Sequence, residues 1–260
     1  MDTQLISKLG DELFSALREH RTIEPLTSRH PDLSEADAYA IQQRLIALRI
    51  ASGETIIGKK IGVTSQAVMN MLGVSQPDFG MLTNVMWHSD GAAIEASTLL
   101  QPRAEAEIAF RLKRDLKGPG VTASDVLAAT ESVMACFEIC DSRVRDWKIK
   151  IQDTVADNAS CGAFVLSETR VDPNQVDLLG CSMVMEKNGV VVATGTGAAT
   201  MGSPLNAVAW LANALGPRGV TLQAGEIVLS GALGAMVPVK GGDSLRMRIE
   251  GIGSCAISFV

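Results

Sequence analysis

Two glutamates separated by one residue are the first feature of the sequence that could do chemistry. Glu105 and Glu107 lie in the segment PRAEAEIAFRL, whose residues 104–112 alternate between apolar and polar. Such alternation favours a β-strand, on which residues two apart project from the same face, whereas on a helix they would point to nearly opposite sides. Two carboxylates this close repel each other, so the pKa of one rises unless a cation lies between them.

A third glutamate, Glu138, interrupts the apolar run at residues 133–140. Burying an unpaired carboxylate is costly, so we expect Glu138 to meet either Arg143 or a metal ion. Together with Glu105 and Glu107 it would form an oxygen-rich site of the kind that Mg²⁺ or Mn²⁺ prefers. An octahedral ion held in this way keeps roughly three free positions, which suits a 2-oxo acid that chelates through its carboxylate and the adjacent oxygen. The alternative is that these acids are solvated at a strand edge.

Positive charge for such an anionic substrate is available in the segment Gly58-Lys59-Lys60-Ile61-Gly62. Two lysines between glycines are usually solvated. Here the flanking isoleucines predict a largely buried strand at residues 55–62, in which one lysine must meet a carboxylate or the substrate. We predict that Lys59 contacts the substrate.

Two loops carry further polar groups. Asp78 lies in the predicted turn QPDFG, where it serves either as a turn or helix cap or as a catalytic acid. Asn158 and Ser160 lie in the segment DNASCG, whose small polar side chains favour hydrogen bonds to a ligand, although capping of turns is the commoner use of such residues. We predict that Asn158 and Ser160 also contact the substrate.

The elements that must position these residues are those of a mixed α+β protein. Apolar spacing and capping residues predict helices at residues 3–18, from Ser34 to Gly53, from Thr64 or Ser65 to Gly73, and at 204–216. Strands are predicted at 104–112, 133–140, 226–230, 236–239, 244–249 and 256–259, with a hairpin at 182–193 that turns at Asn188-Gly189. We therefore expect an N-terminal helical lobe, residues 1–77, that includes the Lys60 strand, and a β-rich catalytic domain, residues 78–260.

Composition excludes several classes of function. The 260 residues carry a net charge of −6 and only 4% are aromatic, which argues against nucleic-acid binding. The longest uncharged stretch is broken by glycines and a proline, so it does not predict a membrane span. The five cysteines have no zinc-ligand spacing, and buried reduced thiols indicate a cytoplasmic protein. Glycine-rich nucleotide motifs and a serine-hydrolase elbow are absent from the sequence.

Several segments together resemble the hydratase/decarboxylase branch of the fumarylacetoacetate hydrolase superfamily, and this resemblance covers nearly the whole chain. They are GKKIGVTS, QPDFG, QPRAEAEIAF, FEICDSR, ADNASCG, MEKNG and GSPLNAVAWLANALG. The resemblance implies a mixed β-sheet roll with surrounding helices. It also implies that Glu105, Glu107 and Glu138 bind Mg²⁺ or Mn²⁺, that Lys60 is the active-site lysine and that Asp78 is the acid found in hydratases.

The activity implied by this resemblance is the hydration of 2-hydroxypenta-2,4-dienoate, a 2-oxo acid of aromatic meta-cleavage catabolism, to 4-hydroxy-2-oxopentanoate. The alternatives are decarboxylation of 4-oxalocrotonate and hydration of a longer 2-oxo diacid. Asp78 favours a hydratase over the decarboxylase, and so does Lys59, which stands where the decarboxylase pattern usually has a hydrophobic residue. The resemblance further implies a homo-oligomer and a complex with 4-oxalocrotonate decarboxylase.

Overall fold

The computed structural model describes all residues from Met1 to Val260 and contains seven α-helices. The helices are α1 (Thr3–Arg18), α2 (Leu26–Arg29), α3 (Glu35–Ala51), α4 (Gln66–Leu72), α5 (Ala123–Ala129), α6 (Ile151–Ala156) and α7 (Pro204–Leu215). Sequence signals explain several of their ends. Ser34 and Asp37 form the predicted capping box at the start of α3, and Ser65 caps α4, which ends at Gly73 in the left-handed conformation.

Thirteen β-strands form two sheets, and the α+β fold class is confirmed. The strands are β1 (Ile56–Gly62), β2 (Asp78–Thr83), β3 (Trp87–Ser89), β4 (Ala93–Ile94), β5 (Arg103–Leu112), β6 (Thr130–Cys140), β7 (Cys161–Leu166), β8 (Ser182–Lys187), β9 (Val190–Thr196), β10 (Ile227–Ala232), β11 (Val237–Pro238), β12 (Ser244–Ile249) and β13 (Gly253–Phe259). The larger sheet has the order β2-β1-β10-β5-β6-β7-β3, with β11 also paired to β5. The smaller sheet has the order β4-β13-β12-β8-β9.

The strand that carries the two lysines lies inside the larger sheet. β1 runs parallel to β10 on one side and antiparallel to β2 on the other. Helices α1 and α3 precede it and pack against each other, and their buried side chains join a core that also contains side chains of both sheets. The boundary between an N-terminal lobe, residues 1–77, and a catalytic domain, residues 78–260, therefore remains a prediction from the sequence.

One predicted turn is wrong. Residues Asp78 to Gly80 were expected to form a turn, but they begin strand β2. Gly62 of β1 lies opposite Asp78, and Ile61 lies opposite Phe79. Asp78 is therefore fixed in a strand and is not at a loop tip, which matters for its surroundings.

The hairpin between β8 and β9 is confirmed. Asn188 and Gly189 both have positive φ, at 53° and 77°, as a tight turn of this type requires.

None of the seven helices has both the length and the apolar character that a membrane-spanning helix needs.

The two faces of the larger sheet differ in their packing. One face contributes Ala106, Ile108 and Phe110 of β5 to the main core of the protein. The other face carries a smaller apolar cluster, which consists of Leu82, Met86, Ala109, Met134, Cys136, Cys161, Phe164, Ile227 and Leu229. The carboxylates singled out in the sequence project from this second face, because they alternate with the core residues of β5 and β6.

Candidate active site

Strand pairing brings the three glutamates to one place. β5 holds Glu105 and Glu107 on the same face, and in the antiparallel pairing with β6 Glu105 lies directly opposite Glu138. Glu107 and Glu138 are completely buried, and Glu105 is partly buried at the edge of a cavity.

These carboxylates have fewer partners than buried acids need. Oε2 of Glu107 accepts a hydrogen bond of 2.8 Å from the backbone N–H of Gly231, but its Oε1 accepts none. Neither oxygen of Glu138 accepts a hydrogen bond, although the ammonium nitrogen of Lys60 lies 3.0 Å from Oε1. Buried polar atoms are almost always satisfied, so the unpaired oxygens indicate that a further cation belongs here.

The pKa values point the same way. Burial, followed by the charge of Glu138, raises the pKa of Glu105 to about 7 and that of Glu107 well above its ordinary value. A divalent cation would remove this repulsion, and an all-carboxylate set suits a hard ion such as Mg²⁺ or Mn²⁺. The three residues therefore fit such an ion.

Lys60 is held by a strained loop. Its Nζ donates a hydrogen bond of 2.9 Å to the backbone carbonyl of Ala159. Asn158, Ala159 and Ser160 have positive φ values of 56°, 50° and 53°, which side chains with a Cβ atom rarely adopt. Burial opposes the charge of Lys60, but the carboxylate of Glu138 raises its pKa well above the ordinary value, so the ammonium stays charged.

The loop is held in turn by Arg143, which was one of the two predicted partners of Glu138. The structure pairs Arg143 with Asp157 instead, through Nε and the backbone N–H, while its guanidinium also donates to the backbone carbonyl of Asp157. Arg143 lies beyond the end of β6, so its side chain points into the loop, and Lys60 is the cation beside Glu138.

Lys59 is not in the site. Successive residues of a strand point to opposite faces, so Lys59 projects away from Lys60. Its Nζ lies 2.6 Å from Oε2 of Glu226, and the side chain is buried. The ion pair with Glu226 argues against the predicted contact between Lys59 and the substrate, because the carboxylate that Lys59 meets belongs to the protein itself.

The two polar residues of the loop, Asn158 and Ser160, also differ in their surroundings. The side-chain amide of Asn158 donates to the carbonyl of Met81 and accepts from its N–H, so it ties the loop to β2 and does not line the cavity. Ser160 does line the cavity, and its Oγ lies 3.1 Å from Oγ1 of Thr154. Only Ser160 of these two is placed to contact a ligand.

Asp78 lies beside Lys60 without a partner of its own. It is 1% exposed, and neither carboxylate oxygen accepts a hydrogen bond. Burial, partly offset by Lys60, raises its pKa to about 6. A Cβ atom at Gly62 would collide with Oδ1 of Asp78 and would lie 3.1 Å from Nζ of Lys60. The absence of a side chain at Gly62 therefore leaves room for the Asp78 carboxyl group and the Lys60 ammonium group to lie close to each other.

These groups open into a cavity of about 440 Å³. It is lined by Lys60, Asp78, Glu105 and Ser160, and its apolar side chains include Val63, Val68, Met71, Leu72, Ile149 and Met236. A second cavity of about 500 Å³ lies near Trp87 and Arg111, but no buried unpaired carboxylate lines it. The smaller cavity is therefore the candidate active site.

Three cavity residues were missed in the sequence analysis. Arg103 makes no ion pair and stacks on the ring of Trp147 at 4.5 Å. Strand alternation could have found it, because it precedes Glu105 by two residues, and the same rule places Cys140 beside Glu138. Nothing in the sequence marks Trp147.

We predict that Mg²⁺ or Mn²⁺ raises the melting temperature of chelator-treated protein. At a hundredfold excess over the dissociation constant the gain in free energy of unfolding is about 2.7 kcal/mol. Glu107→Gln should abolish the rise in differential scanning fluorimetry because it removes a buried ligand. Glu131→Gln is the matched control, since Glu131 is an exposed acid on β6 paired with Arg111. An equal rise in Glu107→Gln would contradict the metal site.

Comparison with known proteins places the chain in a family. Residues 63–260 match the family model described as fumarylacetoacetate (FAA) hydrolase C-terminal. The chain is 56% identical over 260 residues to a 2-hydroxyhexa-2,4-dienoate hydratase of Comamonas testosteroni (99% of this chain and 98% of the relative). It is 62% identical over 221 residues to a 2-hydroxypent-2,4-dienoate hydratase of Pseudomonas putida (85% of this chain and 100% of the relative).

A solved structure agrees over the full length. The 4-oxalocrotonate decarboxylase of Pseudomonas putida G7, complexed with magnesium and adipate, superposes with a TM-score of 0.97 at 37% identity, covering 100% of this chain and 99% of that one. The match of the family model and the identity to full-length relatives show that the chain belongs to the fumarylacetoacetate hydrolase family.

Proposed function

We propose that the chain is a divalent-metal-dependent hydratase, a hydro-lyase, that adds water to 2-hydroxypenta-2,4-dienoate to give 4-hydroxy-2-oxopentanoate. The observation that carries the proposal is that strand pairing brings Glu105, Glu107 and Glu138 together beside Lys60. Of these groups Glu105 and Lys60 line one cavity, and the unpaired Asp78 lines it with them. The names of the two relatives that are 56% and 62% identical support a hydratase of this substrate class.

Glu105, Glu107 and Glu138 would hold the ion, which we propose to be Mg²⁺ or Mn²⁺. When bound, the ion supplies Lewis-acid stabilisation of negative charge on an oxygen of the substrate. One structure of the 4-oxalocrotonate decarboxylase contains magnesium, and a second structure of the same decarboxylase contains calcium and acetate. Both support a divalent ion here.

Two cations of the chain suit an anionic substrate. The Lys60 ammonium is fixed by Ala159 and Glu138 at the inner end of the cavity, where it would stabilise negative charge on the 2-oxygen. Arg103 lies at the same cavity without a carboxylate partner, and we propose that its guanidinium attracts the substrate carboxylate.

Asp78 is the group we assign to proton transfer at the distal carbons. The overall reaction places one proton on carbon 5, a second proton on carbon 3 and a hydroxyl group on carbon 4, while the enol hydroxyl at carbon 2 loses its proton and becomes a ketone. Water supplies the hydroxyl group and one proton, and the enol supplies the other proton. A carboxyl group without a hydrogen-bond partner is free to give or take a proton there. The apolar side chains of the cavity would contact the vinyl end of the substrate and exclude bulk water.

We also propose a cellular location and binding partners for the protein. Five buried free cysteines support a cytoplasmic location, because such thiols persist where the environment is reducing. A homo-oligomer and a complex with 4-oxalocrotonate decarboxylase remain proposals that follow from the family.

The direct test is turnover with Mg²⁺ or Mn²⁺, followed as loss of diene absorbance. We expect hydration of the five-carbon dienoate and of 2-hydroxyhexa-2,4-dienoate, since apolar side chains of α4, Ile149 and Met236 line the cavity, and no release of CO₂ from 4-oxalocrotonate. A chelator should stop the reaction, and added metal should restore it. Turnover that survives chelation, or decarboxylation faster than hydration, would overturn the proposal.

The neighbouring lysines give a matched pair of variants. Lys60→Met should lower kcat by about 10²-fold or more, because it removes the ammonium from the site. Lys59→Met should keep kcat and KM and lower only the free energy of unfolding, by about 1–3 kcal/mol, since it leaves Glu226 without its partner. Steady-state kinetics and urea unfolding measure the two effects. Equal kinetic losses in both variants would contradict the assignment.

Asp78→Asn should keep metal binding but lose about 10²–10⁴-fold in kcat, because the amide cannot exchange a proton. The melting-temperature rise with Mg²⁺ reports that the ion still binds. Full activity of this variant would remove Asp78 from the mechanism and leave the metal site intact.

A further inference from the structure

Cys140 brings a soft ligand to the carboxylate site. It follows Glu138 by two residues on β6, so its side chain projects from the same face of the sheet. In the register of β5 and β6 it lies opposite Arg103, one position along from the pair formed by Glu105 and Glu138 on that face. Its thiol lines the candidate active-site cavity.

The distances suit a metal ion. Ligand atoms of Glu105, Glu138 and Cys140 all lie within 4.8 Å of one another, and Sγ of Cys140 is 3.8 Å from Oε2 of Glu105. A tetrahedral Zn²⁺ with bonds of roughly 2.0 Å to oxygen and 2.3 Å to sulfur separates two such ligand atoms by about 3.5 Å. Small side-chain movements would therefore place both atoms on one ion.

A second observation points to a ligand at the same place. Glu138 is completely buried, and neither of its carboxylate oxygens accepts a hydrogen bond. Lys60 lies 3.0 Å from Oε1 of Glu138, and Oε2 of Glu138 accepts no hydrogen bond. The thiol of Cys140 is thus close to a buried carboxylate whose hydrogen-bonding capacity is unused.

We propose that Glu105, Glu138 and Cys140 form a second, thiolate-containing ligand set that binds a thiophilic divalent cation such as Zn²⁺ in competition with the harder ion of the three glutamates. On binding, the S–H bond of Cys140 breaks, its electron pair forms the bond to the metal, and the proton leaves to solvent. Glu107, on the far side of Glu105 from Cys140, is not a ligand in this set.

The charges allow the exchange. Two carboxylates, one thiolate and a divalent cation sum to −1, the same as three carboxylates and a divalent cation, and Lys60 balances either set. Selection then depends on ligand softness, because thiolate favours zinc over magnesium. As a consequence, Zn²⁺ binds at this site and excess Mg²⁺ displaces it poorly.

The test uses Co²⁺ as a spectroscopic probe of the chelator-treated full-length protein. Thiolate bound to Co²⁺ gives a ligand-to-metal charge-transfer band in the near ultraviolet, and we expect that band in the wild type, with Zn²⁺ displacing it. Cys140→Ala should lack the band and bind Zn²⁺ at least about tenfold more weakly. Cys136→Ala is the matched control, since Cys136 is a buried thiol on the same face of β6, two residues on the other side of Glu138; it should keep the band.

The rise in melting temperature with Mg²⁺ shows that each variant is folded and retains the carboxylate site. A band that persists in Cys140→Ala, or one that is absent from the folded wild type, would overturn the proposal. The result is separate from the proposed function, because the spectrum needs no turnover. A protein that failed to hydrate the dienoate would still show the band.

Discussion

The crowding of three carboxylates on one face of the larger sheet is the constraint on which the rest of the site depends. Pairing of β5 with β6 sets Glu105 opposite Glu138, and the strand period adds Glu107, so the repulsion is built into the backbone register. A single ammonium, that of Lys60, offsets it from within the protein. The remaining negative charge favours a cation and disfavours every arrangement in which the site stays empty and dry. The same charge would attract the proposed ion, which would offset this cost.

The loop at residues 157–160 shows where conformational strain is used. Three consecutive residues with positive φ cost free energy, and the buried pair of Arg143 and Asp157 and the side chain of Asn158 compensate for that cost with hydrogen bonds. What the strain provides is the carbonyl of Ala159 at hydrogen-bond distance from Lys60. The ammonium is therefore held on both sides, by Ala159 and by Glu138, before any substrate enters. In the proposed reaction, such preorganisation would remove the need to reorient a flexible lysine.

Periodicity and capping predicted much of the fold, and the strand period placed Glu105 and Glu107 on one face of β5. They could not decide between partners that lie far apart in the chain. The apolar surroundings of Lys59 and Lys60 predicted burial for the strand, but which lysine faces the carboxylates depends on the pairing of β1 with β10, and Glu226 is 167 residues away from Lys59. Arg143 was close in sequence to Glu138, yet the end of β6 turned it towards Asp157. The sequence predicts a turn at Asp78 because Pro77 precedes it and Gly80 follows two residues later, whereas pairing with Gly62 places it in a strand.

The chain shares its fold with a decarboxylase, with a TM-score of 0.97. The fold alone therefore does not determine which reaction is catalysed. The choice must lie in the groups that meet the distal carbons of the substrate. A decarboxylase has to accommodate a second carboxylate at that end, whereas a dienoate ends in a vinyl or alkenyl group. In this chain the cavity offers a neutralisable acid, Asp78, and the apolar side chains of α4 and Met236. Its two cations are Arg103 and Lys60, and Lys60 lies beside Asp78. An acid without a partner disfavours a second carboxylate and can exchange a proton with carbon, so in the proposed reaction Asp78 would both exclude the diacid and serve the hydration.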